Sequence, residues 1–265
     1  MRQITDIKEL RQIQMGILDH LHQFCTSHQI KYSLAFGTML GAIRHKGYIP
    51  WDDDIDICMP RADYERFLKC YQDTAYFQLK DRSRSKDYYF TFAKVVDSRT
   101  YLVEDEIEGY HIGVWVDIFP IDYVADSPGS QKRTFFFKNV LYKMRMCKLL
   151  RGNHLHSVVS YLGYRFFPLP VSVVDRLIRC LIIRKQPTRT MGCMTENCRS
   201  PKQCFPAAVF ADVGDVTFEG KTYCGVSDAD TYLNCLYGDY MQLPPEDQRT
   251  THHFEAYVIQ PDYQA

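Results

Sequence analysis

Net charge is missing from this chain: 32 Lys and Arg balance 32 Asp and Glu over 265 residues, so bulk electrostatics names no partner and gives no reason to expect nucleic acid. Uninterrupted apolar runs long enough to cross a bilayer are also missing, and the polar start Met1-Arg2-Gln3-Ile4-Thr5-Asp6 is unlike a secretory leader, so the protein is expected in the cytoplasm. No internal repeat or low-complexity tract occurs. The ten cysteines show no paired spacing, and even the densest group, Cys193, Cys198 and Cys204, lacks the C-x-x-C pattern of zinc sites; free thiols are expected. What remains is an ordinary folded composition, 46% hydrophobic and 24% charged, long enough for one embellished domain or two small ones.

The charge that cancels overall does not cancel locally. Between Lys132 and Arg189, thirteen basic residues face one acid, Asp175. Apolar residues at Ile7, Leu10, Ile13, Ile17, Leu18, Leu21 and Phe24 recur at helical spacing and predict an amphipathic helix to about Ser27. A buried strand is expected from Tyr32 to Phe36, then a Gly37-Thr38 turn, a helix from Met39 to His45, and a second strand from Asp54 to Met59. Further strands are expected at Phe77 to Lys80, Phe90 to Val96, Thr100 to Val103 and Val114 to Asp122, with Pro120 keeping the last one short or at an edge. This pattern predicts an α+β fold, a mixed sheet flanked by helices over residues 1–127. A basic and apolar helical insertion is expected over 128–203, and a C-terminal segment over 204–265 with a hairpin turning at Glu219-Gly220-Lys221 and a helix from Asp228 to Leu236. The insertion reads as helices packed on the core or as a surface for anionic lipid or another polyanion.

The chemistry concentrates between Phe36 and Ile57. In an extended strand Asp54 and Asp56 point to one face while Ile55 and Ile57 point into the core, and two carboxylates on one face call for a cation. Oxygen ligands suit Mg²⁺ or Mn²⁺, with substrate phosphate oxygens completing the shell. Asp52 and Asp53 are secondary candidates in the lead-in loop. Asp117, alone between Val116 and Ile118, is a third metal ligand, a general base, or an acid capping a strand end. Gly37-Thr38 supplies either backbone N-H groups for a phosphate or an ordinary turn, and Arg44, His45 and Lys46 either contact phosphate or end a helix in solvent.

Gly37-Thr38-x-Leu40-Gly41-x-x-Arg44 followed by Ile49-Pro50-Trp51-Asp52-Asp53-Asp54-Ile55-Asp56 resembles the signature of the LicD family, the phosphotransferases related to fukutin. Val116-Asp117-Ile118-Phe119-Pro120, Leu236-Tyr237-Gly238-Asp239-Tyr240, and Pro244-Pro245-Glu246-Asp247-Gln248-Arg249 with His252-His253 follow in order. The resemblance implies a nucleotidyltransferase-like fold in which Asp54, Asp56 and Asp117 form the metal and catalytic set. It also implies that Gly37, Thr38, Arg44, Lys46, Trp51, Asp52, Asp53, Arg249, His252 and His253 serve substrate. The implied reaction is transfer of a phospho-alcohol, commonly phosphocholine from CDP-choline or another CDP-alcohol, to a hydroxyl of a glycan or lipid-linked glycan at the membrane surface. Choline would need an aromatic cage, for which Tyr48, Trp51, Tyr110 and Trp115 are available. Two other readings of the acidic motif remain: a glycosyltransferase using a nucleotide sugar, and a module that binds metal or nucleotide without turnover.

Overall fold

A computed structural model describes residues 1–85, 88–104, 111–149, 162–163, 165–184, 186–195, 198, 200–249 and 254–259. Chain order is β1 (Arg2–Ile4), α1 (Ile7–Ser27), β2 (Ser33–Leu34), α2 (Phe36–Arg44), β3 (Asp56–Pro60), α3 (Arg61–Cys70), β4 (Phe77–Lys80), β5 (Ala93–Asp97), β6 (Thr100–Glu104), β7 (His111–Ile112) and β8 (Trp115–Val124). Then come α4 (Pro128–Leu149), α5 (Val171–Ile182), β9 (Thr190–Cys193), β10 (Cys204–Pro206), β11 (Val213–Phe218), β12 (Lys221–Val226), α6 (Ala229–Tyr237) and β13 (Phe254–Val258). The architecture is mixed α+β, as the pattern of periodicities predicts.

Ten-residue β8 organises a seven-stranded sheet. One edge pairs in parallel with β3, and β3 pairs antiparallel with β2. The other edge is shared: residues 115–118 pair with β5, which carries β4, and residues 121–124 pair with β9, which carries β10. The expectation that Pro120 confines this strand to an edge is therefore wrong, and the register explains why. Asp117 donates its N-H toward β3, to Ile55 O at 2.9 Å, so by alternation the side of residue 120 faces the gap between the β5 and β9 pairings. Proline's missing donor removes no ladder bond there.

Helix α1 forms where its period predicts. Asp6 caps it by accepting from Lys8 N, and Leu10, Ile13, Ile17, Leu18 and Leu21 face the main core, each contributing about 1.5–3 kcal/mol by burial. Helix α2 begins earlier than expected. Phe36 to Thr38 form its first turn rather than a preceding turn, with Phe36 at φ 45°, a left-handed conformation a phenylalanine rarely adopts. Strand β3 begins at Asp56, leaving Asp54 in the lead-in loop. The Arg61 guanidinium, bidentate to Asp122 at 2.7 and 2.6 Å, ties the start of α3 to β8.

Two features lay outside the sequence reading. Short β1 and β13 pair with each other, and β13 pairs with β6, making a second sheet in the order β1, β13, β6, β7. Strand β9, inside the expected insertion, belongs to the main sheet. Helices α4 and α5 pack together over a satellite core that includes Phe135, Tyr142, Val174, Ile178 and Ile182. The hairpin of β11 and β12 turns at Glu219-Gly220, both with positive φ, as the glycine there predicts.

Candidate active site

Three adjacent strands set one row of charges. Asp56 is the register partner of Asp117 across the parallel β3 and β8 pair, and Asp117 is the partner of Lys94 across the antiparallel β8 and β5 pair. Register partners share a face, so Asp56, Asp117 and Lys94 stand side by side while Ile55, Ile57, Val116 and Ile118 are wholly buried on the other face. Lys94 Nζ donates to Asp117 Oδ1 at 2.6 Å and lies 3.9 Å from the Trp115 ring centre, 4.5 Å from Phe90 and 5.2 Å from Phe92. A buried ammonium needs such partners, and here a carboxylate and three aromatic faces enclose it. Burial, then the charges of Asp54, Asp117 and Asp52, push the Asp56 carboxyl well above the ordinary carboxylate range, against a smaller downward pull from Lys94.

The small residues at the start of α2 serve this row. Thr38, itself buried, accepts from Asp56 N at 2.8 Å through its hydroxyl, which fixes where β3 begins. A Cβ on Gly37 would lie 2.6 Å from Asp52 Oδ2, so glycine admits the Asp52 carboxylate to the positive end of the helix. Together these contacts give Gly37 and Thr38 a second task, placing the acids, beside any phosphate binding.

The acidic loop is held from two sides. From α1, Arg11 Nη2 donates to the carbonyls of Ile49 and Pro50, both at 3.2 Å, and of Asp52 at 2.6 Å, and Gln14 donates to Asp53 O at 2.7 Å. From the hairpin, Glu219 accepts from Tyr48 N at 3.0 Å and its own N-H donates to Lys46 O at 3.0 Å. Gly47 admits Glu219, since a Cβ there would overlap that carboxylate. Asp53 is buried and its carbonyl is part of this clamp.

The remaining predicted residues divide. Arg44 donates to Tyr240 O at 2.6 Å and to His45 Nε2 at 2.9 Å, which docks the C-terminal segment on α2. Lys46 is exposed with φ 63°. Arg249 donates to Pro244 O at 3.0 Å, and its guanidinium lies 4.9 Å from the Trp51 ring centre. His252, His253 and Tyr110 lie outside the described residues. The expected aromatic cage is changed in kind: Tyr48, Trp51 and Trp115 each already face a cation of the chain, Arg11, Arg249 and Lys94 respectively.

Lys94, Arg11, Gln14 and Glu219 were not singled out from the sequence. Lys94 carried a usable signal, a lone charge in Phe92-Ala93-Lys94-Val95-Val96, the same signal that marks Asp117. Tyr237 at the end of α6, 46% exposed, joins them: desolvation of its phenol, then the charges of Asp56, Asp52 and Asp54, raise its pKa, so the hydroxyl stays a hydrogen-bond donor near the acids.

Asp54, Asp56 and Asp117 fit a divalent cation in one respect and limit it in another. Their mutual repulsion at Asp56 is what a cation relieves, and carboxylate oxygens are the ligands Mg²⁺ takes. Among the described residues, however, no three acidic, histidine or cysteine side chains close a metal cage, and Asp117 Oδ1 is engaged by Lys94. This donor set suits an ion that takes one or two carboxylates and completes its shell with water and substrate phosphate.

Similarity to known proteins agrees with this arrangement. The sequence profile described as LicD/FKTN/FKRP, nucleotidyltransferase domain, matches residues 29–151, the span from β2 to just past α4 that carries every acid of the row. Lipopolysaccharide cholinephosphotransferase LicD of Haemophilus influenzae is 30% identical over 270 residues, covering 98% of this chain and 100% of the relative. The chain belongs to the LicD family. The resemblance read from the motifs therefore holds, and with it the LicD-type phosphotransferase class and the nucleotidyltransferase-like fold. Two uncharacterised Rickettsia proteins are also similar: one from Rickettsia typhi is 28% identical over 135 residues, 50% of this chain and 38% of that protein. The other, from Rickettsia prowazekii, is 45% identical over 47 residues, 18% of each. No described helix is long and apolar enough to cross a membrane.

Proposed function

We propose that this LicD-family enzyme transfers phosphocholine from CDP-choline to a hydroxyl of lipopolysaccharide or a related cell-surface glycan precursor, in a reaction that needs Mg²⁺ or Mn²⁺. The observation that carries the reading is the in-register row of Asp56, Asp117 and Lys94 beside Asp54, on a chain related over its whole length to a cholinephosphotransferase. Asp54 and Asp56, with Asp117 at the shared edge, would hold the metal, which when bound would neutralise the donor diphosphate and the charge of the departing CMP. The chain's own residues supply the rest. Asp117, held in place by Lys94, would accept the proton of the acceptor hydroxyl through its carboxylate. The hydroxyl oxygen forms a bond to the choline-bearing phosphorus as that phosphorus loses its bridging oxygen to CMP, so one phosphodiester replaces one diphosphate linkage. Tyr237 would donate to a phosphate oxygen, and Trp51 would take the choline cation in place of Arg249, whose guanidinium lies 4.9 Å from its ring centre.

Incubation of the purified protein with CDP-choline, Mg²⁺ and lipopolysaccharide tests the proposal. Release of CMP matched by choline on the glycan supports it. Incorporation of sugar from a nucleotide-sugar donor with no use of CDP-choline overturns it in favour of glycosyl transfer, and donor binding without turnover of any donor overturns it in favour of a binding module.

A further inference from the structure

Seven large apolar side chains stand exposed in one stretch of this chain: Phe136, Phe137, Leu162, Phe166, Phe167, Val173 and Leu177. Phe166 is 77% exposed and Phe136 63%, so these rings lie in solvent. Half of all the large hydrophobic residues exposed in the described structure fall within this segment, the same one in which thirteen basic residues face one acid. The two properties interleave on each helix. On α4, Lys132, Arg133, Phe136, Phe137 and Lys143 are exposed at helical spacing, and on α5, Val173, Arg176 and Leu177 form the outer stripe, with exposed Arg184 just past its end, while Val174, Ile178 and Ile182 face inward.

Part of that charge is used inside the fold, since Lys138 and Arg145 are buried and Arg179 pairs with Glu65 at 2.9 Å; Lys132, Arg133, Lys143, Arg176 and Arg184 remain exposed. Asp175 accepts from Arg145 Nε at 2.6 Å, and Arg82 Nε lies 3.6 Å from it. A concavity between the turn at residues 81–85 and α5 is lined by Arg82, Ser172, Asp175, Arg176, Arg179 and Cys180, three cations to one carboxylate. Arg82 Nη1 is buried with no hydrogen-bond partner among the described residues.

We infer that the outer face of α4 and α5, with the exposed side chains of Leu162, Phe166 and Phe167, is a docking surface for an anionic lipid bilayer. Exposed phenylalanines among lysines and arginines match both layers of such a surface: rings enter the boundary between headgroups and acyl chains, and cations pair with lipid phosphates. A neutral protein partner would leave the cations unpaired, and a soluble polyanion would leave the rings in water. The surface goes beyond the phosphotransfer reading, since it concerns where the enzyme resides.

Co-sedimentation of the full chain with vesicles tests it, without donor or acceptor, so it fails or succeeds separately from the proposed activity. Binding is expected to vesicles containing phosphatidylglycerol but not to pure phosphatidylcholine, and it weakens as salt is raised. Phe136→Ser with Phe137→Ser, and separately Arg133→Glu with Arg176→Glu, should each lower affinity roughly tenfold or more while CDP-choline turnover on a soluble acceptor is unchanged. No binding to anionic vesicles, equal binding to neutral ones, or binding indifferent to both pairs of substitutions overturns the inference. A dimer in solution that Phe136→Ser with Phe137→Ser converts to monomer also overturns it, by showing that a second copy covers the face.

Discussion

Asp56 and Asp117 stand opposite each other across the parallel pair of β3 and β8, and Lys94 closes the row from β5. Two carboxylates in register repel each other, and the Asp56 carboxyl is raised first by its burial and then by the charges of Asp54, Asp117 and Asp52.

Asp56→Asn should therefore stabilise the metal-free protein at neutral pH while abolishing function. Because the folded chain holds the Asp56 proton at pH values where the unfolded chain has released it, this group's stabilising contribution is full below the unfolded value. It is lost as pH rises through the raised folded value. Thermal melts without metal should show wild type losing stability over that rise and the variant losing less, with Tm higher by about 2–4 °C at neutral pH. Transfer should fall about 100-fold or more.

Removing Lys94 takes away the buried ammonium that donates to the Asp117 carboxylate at 2.6 Å. Lys94→Met should destabilise by about 3–5 kcal/mol, and combining it with Asp117→Asn should recover most of that loss in denaturant titrations without recovering transfer.

Glycines separate placing the acids from building the fold. Gly37→Ala crowds the Asp52 carboxylate, which can swing away, so stability should hold while activity falls about 10- to 100-fold. Gly41→Ala sets a Cβ against the carbonyl oxygen of Gly47 and should destabilise by about 1–3 kcal/mol. Gly16→Ala, in α1 with open space around it, should stabilise by about 0.5–1 kcal/mol and leave activity intact. Melts and initial rates of the three variants check the ranking.

The α1 clamp acts on the acids through the backbone that carries them. Arg11→Ala should lower kcat and raise the metal concentration needed for half-maximal rate, by about tenfold each, with partial rescue by Arg11→Lys, which restores a donor but not the reach to three carbonyls. Metal titrations of initial rate provide the readout.

What could be read from the sequence follows from how local each signal is. Helix α1 shows its period over twenty-one residues, and Asp56 and Asp117 announce themselves as charges between buried isoleucines and valines. Pro120 misled because its tolerance depends on where two other strands stop, which no local pattern records. Strands β1 and β13 are three and five residues long and pair from opposite ends of the chain. Arg11 and Glu219 reach the acidic loop across separations of 38 and 171 residues, so only the fold brings them to it.

The most direct test of the central claim is the metal dependence of CMP release from CDP-choline in wild type, Asp54→Asn, Asp56→Asn and Asp117→Asn. The account predicts release that requires Mg²⁺ or Mn²⁺ in wild type and is lost in all three variants that remain folded. Undiminished, metal-independent release in the Asp56→Asn and Asp117→Asn proteins would contradict it.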